Sequence, residues 1–224
     1  MGRPYVSVVI PTWNEGGNIG RVIRSVKHVL SGYGYEIIIV DRHSDDGTAE
    51  IARKAGAHVI YDDVGKGAAL VKGLQNAKGD ILISMDADLS NEPRELKLLI
   101  AGIETGYDLC IGSRFITGGG TADMPALRKF GNKVFVLLVN TLFGANYTDL
   151  CYGYRSFRRS AMGRLRLEEK GFGIETEISI KAIKGKLKVL EVPSMEKKRD
   201  KGEGKLHTFR DGYVILRTIF SNLS

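Results

Sequence analysis

Ile81-Leu82-Ile83-Ser84-Met85-Asp86-Ala87-Asp88-Leu89-Ser90 is the run whose reading decides the fold. An apolar stretch of strand length stops at two carboxylates one residue apart. Apolar side chains on both faces mark a strand buried on both sides, as in a parallel sheet. Asp86 and Asp88 then fall at the strand's C-terminal end, where open α/β sheets bind ligands. Side chains two apart in an extended chain point the same way. The pair is therefore expected to offer two hard oxygen donors to one site. Such donors suit Mg2+ or Mn2+ carrying a diphosphate, with substrate oxygens completing the coordination. A strand followed by an Asp-rich helix cap is the plainer reading of a bare Asp-x-Asp, and the surroundings decide against it.

On the N-terminal side, strand and helix alternate. Val6 to Ile10 reads as an apolar strand ending at the turn Pro11 to Gly17. The helix after it puts Ile19, Val22, Ile23, Val26 and Leu30 on one face. Ile37 to Val40 is a second buried strand ending at Asp41. Asp45 to Thr48 is a turn and N-cap, His58 to Tyr61 a short strand, and Gly65-Lys66-Gly67 the start of a helix over 68–77. On the C-terminal side, Asn91-Glu92-Pro93 opens a helix to about Glu104, and Asp108 to Gly112 is the next strand. Repeated alternation with short joints predicts a parallel, doubly wound sheet.

After Arg114 the pattern loosens. Residues 128–143 read as a helix, 147–157 as a turn and short strand, 171–177 as the approach to a helix, and 187–192 as a strand. The last helix is expected to turn Phe209, Tyr213, Leu216, Ile219 and Phe220 inward. With no repeat and no linker, 1–224 reads as one α/β domain, with a nucleotide half (1–114) and an acceptor half (115–224).

The 224 residues are 43% hydrophobic, enough for a sizeable core, and carry a net charge of +7. Such an excess favours phosphorylated substrates, anionic lipid or nucleic acid. The densest basic patch, Lys197-Lys198-Arg199-Asp200-Lys201, comes without any helix-turn-helix, zinc-finger or RNP pattern, so nucleic acid is not the expected partner. No apolar run reaches bilayer length, and the N-terminus enters a strand rather than a secretory signal. A cytoplasmic protein, peripheral on the cytoplasmic membrane face, is expected. Cys110 and Cys151 lack metal-ligand spacing and read as buried free thiols. The segment at Lys66 lacks Walker spacing, no Gly-x-Gly-x-x-Gly follows the first strand, and no nucleophile elbow is present. These gaps argue against a P-loop NTPase, a dinucleotide oxidoreductase and a serine hydrolase. The amides and ammonium of Gly65-Lys66-Gly67 are nonetheless placed to approach phosphate.

Taken in order, Val8-Val9-Ile10-Pro11-Thr12-Trp13-Asn14-Glu15, Ile39-Val40-Asp41, Gly65-Lys66-Gly67-Ala68-Ala69, Met85 to Ser90 and Gly112-Ser113-Arg114-Phe115 resemble a family 2 glycosyltransferase of the GT-A fold. The likeness is to the dolichyl-phosphate mannosyltransferase and polyprenyl-phosphate glucosyltransferase branch. Arg128-x-x-x-Asn132, Thr148 to Phe157 and Arg199-x-x-Gly202-Glu203-Gly204-Lys205 extend it over nearly the whole chain. The resemblance implies that Pro11, Trp13, Glu15 and Asp41 hold the nucleoside. Asp86 and Ala87 would contact ribose and phosphate, and Asp88, with Ser90, would ligate the metal. Arg114, Arg128 and Arg199 would hold the acceptor phosphate and donor diphosphate. The chain departs from the family where Arg42-His43 replace a second acid, Trp13 stands for the commoner Tyr, and Ser90 for Gln.

The expected reaction is metal-dependent, inverting transfer of a hexose from a nucleotide-sugar (GDP-mannose, or a UDP- or dTDP-sugar) to polyprenyl phosphate at the membrane surface. A phosphate acceptor is anionic already and needs no general base. A hydroxyl acceptor would need one, with Asp149 and Glu175 as candidates. A non-catalytic basic α/β domain is the remaining alternative. Phe135, Leu138, Leu142 and Phe143 are the lipid-facing candidates, together with the last helix. The segment from Lys197 to Lys205 is expected to order over bound donor and acceptor, with Arg199 on phosphate and Lys205 supporting it.

Overall fold

The computed structural model describes residues 2–199 and 207–223. Gly202, Gly204 and Lys205 lie outside the described residues. The strands are β1 (Val6–Thr12), β2 (Tyr35–Asp41), β3 (His58–Tyr61), β4 (Ile81–Ser84), β5 (Leu109–Ser113), β6 (Gly120–Thr121), β7 (Arg155–Arg158), β8 (Val189–Pro193) and β9 (Met195–Glu196). The helices are α1 (Ile19–Val29), α2 (Thr48–Lys54), α3 (Lys66–Asn76), α4 (Leu96–Glu104), α5 (Ala126–Phe143), α6 (Arg159–Met162), α7 (Ile174–Lys184) and α8 (Thr208–Ser221), with a 3-10 turn over Pro93–Glu95.

Alternation along the buried strands sorts side chains onto two cores. Val9, Ile38, Val40 and Leu82 face one side with Leu70 and Leu74 of α3, Ile174 and Ile178 of α7 and Ile215 of α8. Val8, Ile10, Ile37, Ile39, Ile81 and Ile83 face the other with α1 and α4. The expected inner face of α1 is confirmed, since Ile19, Val22, Ile23, Val26 and Leu30 are all buried. Helix α3 lies so close to the sheet that a Cβ on Gly73 would sit 2.3 Å from Val9 Cγ1.

The seven strands run in the order β3-β2-β1-β4-β7-β5-β8. The sheet is mostly parallel but not wholly so, because β7 inserts antiparallel between β4 and β5. Strands from residues 115–224 are thus built into the sheet formed by residues 1–114. Arg155 anchors the insertion. Its buried guanidinium donates to the carbonyls of Tyr152 (2.8 Å), Leu150 (2.8 Å) and Glu175 (2.8 Å) and to Ser179 Oγ (2.9 Å). A two-residue parallel pairing of β6 with β9 forms a separate ribbon.

The last helix corrects the sequence reading. Ile219 is buried and Leu216 half-buried, but Phe209, Tyr213 and Phe220 are 82%, 69% and 54% exposed. The buried stripe is Asp211, Ile215, Thr218 and Ile219. Helix α5 is corrected similarly. Phe135, Leu138 and Phe143 pack against the core, whereas Leu127, Phe130, Leu137 and Leu142 are exposed. Among the described residues no helix is long and apolar enough to cross a membrane.

Candidate active site

The C-terminal ends of the parallel strands open into a cavity of about 820 Å3, lined also by residues of α5 and α8. Pro11, Trp13, Glu15, Lys66, Asp86, Ala87, Asp88, Ser90, Arg114, Arg128 and Arg199 all line it. Of the expected site residues, Asp41 and Asp149 are absent from the lining, and Lys205 lies outside the described residues.

Just past β1, Trp13 is 43% exposed, with the Arg42 guanidinium 5.0 Å from its ring centroid. Arg42, which follows Asp41 where the family often has an acid, lines the cavity in place of Asp41. Asp41 itself is fully buried. One oxygen accepts from Ser44 Oγ (2.6 Å) and Thr12 Oγ1 (3.1 Å), the other from the Ser44 amide (2.9 Å). These bonds hold the turn after β2, and Asp41 does not line the cavity.

The aspartates after β4 part company. The chain leaves extended geometry after Ser84, and Leu89 adopts a left-handed φ of 66°. Asp86 Oδ1 pairs with Lys66 Nζ at 3.0 Å, and its amide donates to Asn91 Oδ1 (2.7 Å). Asp88 Oδ1 accepts from the Ser90 amide (3.0 Å), while Oδ2 faces Arg199 at 3.6 Å, beyond hydrogen-bond range. Two carboxylates turned to one ion are therefore not what the strand end presents. Among the described residues no three His, Cys, Asp or Glu side chains gather as a metal cage. A hard carboxylate with a loosely held counter-cation, in a cavity sized for substrate, fits an ion that brings diphosphate oxygens with it.

Two cations on the cavity floor are bracketed by acids. Lys66 lies between Asp86 and Glu175 Oε1 (2.9 Å). Burial alone would lower its pKa, but the two carboxylates outweigh that and raise it. Arg114 donates from Nε to Asp149 Oδ2 (2.7 Å), from Nη2 to Asp149 Oδ1 (2.9 Å) and from Nη1 to Glu196 Oε1 (3.1 Å), above the Tyr152 ring at 4.5 Å. Burial again opposes its charge, and Asp149 and Glu196 prevail. Asp149 is fully buried, spends both oxygens on Arg114 and also accepts from the Cys151 amide (3.2 Å). Its place is that of an ion-pair partner rather than a base within reach of substrate.

The helix opening at Lys66 is spent as well. The amides of Gly67 and Ala68 donate to the Lys170 carbonyl (2.9 and 3.2 Å). A Cβ on Gly67 would meet Glu169 O at 2.4 Å, so glycine is needed for this strap to seat. Of the expected Gly65-Lys66-Gly67 amides, that of Gly67 is therefore turned away from the cavity, which Gly65 and Lys66 line.

At the rim, Arg128 Nε donates to Thr208 Oγ1 at 3.3 Å. Arg199 pairs with Asp123 at 3.0 Å and reaches toward Asp88. One turn beyond Arg128, the buried Asn132 accepts with Oδ1 from the amides of Leu150 (3.2 Å) and Cys151 (3.3 Å). Its Nδ2 has no hydrogen-bond partner among the described residues, and the side chain lines the cavity. Sequence reasoning missed Asp123 and Glu196, which reach the arginines only through the β6–β9 pairing. The spacing Arg128-x-x-x-Asn132 was the available signal for Asn132, since residues four apart share a helix face.

A mostly parallel seven-stranded sheet with a charged cavity at its strand ends is the architecture of the GT-A fold. The chain belongs to glycosyl transferase family 2, whose family model matches residues 7–166. It is 35% identical to the dolichol-phosphate mannosyltransferase of Pyrococcus furiosus, over 90% of this chain and 59% of that protein. It thus spans about three-fifths of that relative's length. It is 31% identical to the polyprenol monophosphomannose synthase of Mycolicibacterium smegmatis, over 89% of this chain and 80% of that one. Among solved structures it is similar to glucosyl-3-phosphoglycerate synthase from Mycobacterium tuberculosis in complex with Mn2+, UDP-glucose and phosphoglyceric acid. There the TM-score is 0.76 and the identity 25%, over 99% of this chain and 80% of that one.

Proposed function

We propose that the protein transfers a hexose from a nucleotide-sugar to a polyprenyl phosphate at a membrane surface. The observation that carries this reading is the gathering of Asp88, Arg128 and Arg199 around one cavity lined also by α5 and α8, whose outer faces carry exposed apolar side chains. Relatives named for lipid-phosphate sugar transfer support it.

Trp13 gives the nucleobase a stacking face beside Pro11, with the Arg42 guanidinium over the indole ring. Asp86, held by Lys66 and Asn91, is placed for ribose and phosphate. Asp88 and the Ser90 hydroxyl would hold Mg2+ or Mn2+, which supplies neutralisation of charge on the departing nucleoside diphosphate. Arg128 and Arg199 bring two anions side by side, since guanidinium forks bind phosphate oxygens in pairs. The unpartnered Nδ2 of Asn132 adds a neutral donor to the same face. A phosphate acceptor supplies its own nucleophilic oxygen. Displacement from the face opposite the leaving diphosphate then inverts the anomeric centre. Glu175, the one candidate base that lines the cavity, is already paired with Lys66. Phe209 and Tyr213 of α8, with Leu127 and Phe130 of α5, are the side chains proposed to enter the lipid interface, in place of the core-packed Phe135, Leu138 and Phe143.

Thermal stabilisation by a panel of GDP-, UDP- and dTDP-sugars, with and without Mn2+, tests the donor side. One nucleotide-sugar is expected to stabilise the protein in a metal-dependent way. A flat response to the whole panel contradicts the reading.

A further inference from the structure

A second concavity, of about 520 Å3, lies on the other side of the segment that carries Asp88. It is lined by Arg21, Arg24, His28, Arg94, Lys197 and Lys198. Among the described residues the only acid in the lining is Glu92, and it is already engaged. Its carboxylate pairs with Lys197 Nζ and accepts from the Arg94 amide at 3.4 Å. The side chains of Arg24, His28 and Lys198 make no hydrogen bond or ion pair among the described residues. Cations gathered in one concavity repel each other, and a bound polyanion relieves the repulsion. The catalytic reading uses none of the six.

Two segments form a common wall with the catalytic cavity. In the first, Asp88 and Ser90 face the catalytic side, while Leu89, Asn91 and Glu92 line the second concavity. In the other, Lys197 and Lys198 line the second concavity and Arg199 the first. The Lys197 amide donates to the Ser90 carbonyl (2.8 Å), stitching the segments together. Asn91 ties the wall down by accepting from the Asp86 amide (2.7 Å) and donating to the Tyr152 hydroxyl (3.0 Å).

We propose that this concavity binds a phosphate-class oxyanion, presented by an anionic phospholipid headgroup or free in solution, and that its occupation steadies the wall carrying Asp88 and Arg199. The ligand is held chiefly by Arg24 and Lys198, whose side chains make no hydrogen bond or ion pair among the described residues, with Arg94 beside them. On a membrane, such a site would add charge recognition to the apolar contact made by α5 and α8. Free anions would occupy it from the solvent.

The test uses the full chain and two probes, inorganic phosphate and vesicles of phosphatidylcholine with or without phosphatidylglycerol. The variant is Arg24→Glu with Arg94→Glu. The control, Lys186→Glu with Lys188→Glu, makes the same charge change at exposed lysines that line neither cavity. Thermal unfolding checks that both fold, and Arg24→Gln with Arg94→Gln replaces the first pair if it does not. The wild type is expected to bind phosphatidylglycerol vesicles at low salt tenfold or more tighter than pure phosphatidylcholine. The Arg24/Arg94 variant should lose most of that increment and the control should keep it, at roughly tenfold for two interfacial charges. Saturable phosphate binding that only the Arg24/Arg94 variant loses, with no vesicle increment, would support the site with a free anion as its ligand. If the two variants match each other toward both probes, the proposal is overturned. Metal-dependent nucleotide-sugar binding, measured on the same samples, reports separately on the sugar-transfer reading.

Discussion

The floor and the rim of the catalytic cavity treat their cations differently. On the floor, Lys66 and Arg114 each sit between two carboxylates, at 3.1 Å or less. On the rim, Arg199 shares itself between Asp123 and a 3.6 Å approach to Asp88. A cation fully neutralised in a buried setting is part of the fold, because removing its partner strands a charge. A loosely partnered cation at a cavity mouth can exchange its partner for a ligand anion at little cost. The lesson concerns Arg114 in particular. Its motif suggests a phosphate ligand, yet its geometry is that of a strut joining β5, the turn before β7 and β9.

The sharpest break in this comparison is Asp88→Asn. It should abolish turnover and the metal-dependent stabilisation by nucleotide while leaving the unfolding temperature of the unliganded protein near that of the wild type. Assay of hydrolysis and transfer beside thermal unfolding checks both halves. Next is Asp149→Asn on the floor. Breaking a buried ion pair by removing one partner costs about 3–5 kcal/mol, which lowers the unfolding temperature of a chain this size by about 10 °C. Denaturant unfolding would show it, and an unchanged midpoint would move Asp149 out of the floor. Arg199→Ala should spare stability. Loss of one charge-assisted phosphate contact, about 1.5–3 kcal/mol, lowers transfer roughly ten- to a hundredfold, with nucleotide binding less affected in a titration. The smallest effect is chemical. Burial pushes the thiols of Cys110 and Cys151 up to about 12. At pH 8 both should resist a thiol reagent in the native protein and react once it is unfolded.

The nucleotide half was legible because its signals are local. Apolar runs of four to six residues gave β1, β2 and β4, and the spacing of Ile19, Val22, Ile23 and Val26 gave α1. Site residues at the ends of those strands followed from the general rule for open α/β sheets. The antiparallel entry of β7 was not legible, because it depends on Arg155 finding carbonyls as far away as Glu175. The partners of Arg114 and Arg199 were hidden for the same reason. Glu196 and Asp123 come to the cavity beside strands of two residues each. Asp41 looked like a ligand contact because a carboxylate at a strand end is ambiguous until the turn after it is seen. Ser44 resolves it. In α8, apolar spacing was read as an inward face, but the buried stripe includes Asp211 and Thr218 while aromatic residues stay outside. Periodicity finds the apolar side of a helix without saying whether protein or lipid covers it.

The measurement that bears most directly on the central claim is transfer of a radiolabelled sugar from its nucleotide to polyprenyl phosphate in the presence of Mn2+. The expected result is label that partitions into butanol only when enzyme, metal and lipid phosphate are all present. If the protein turns over the same nucleotide-sugar but the label stays in the aqueous phase, with or without polyprenyl phosphate, the lipid-phosphate acceptor is contradicted.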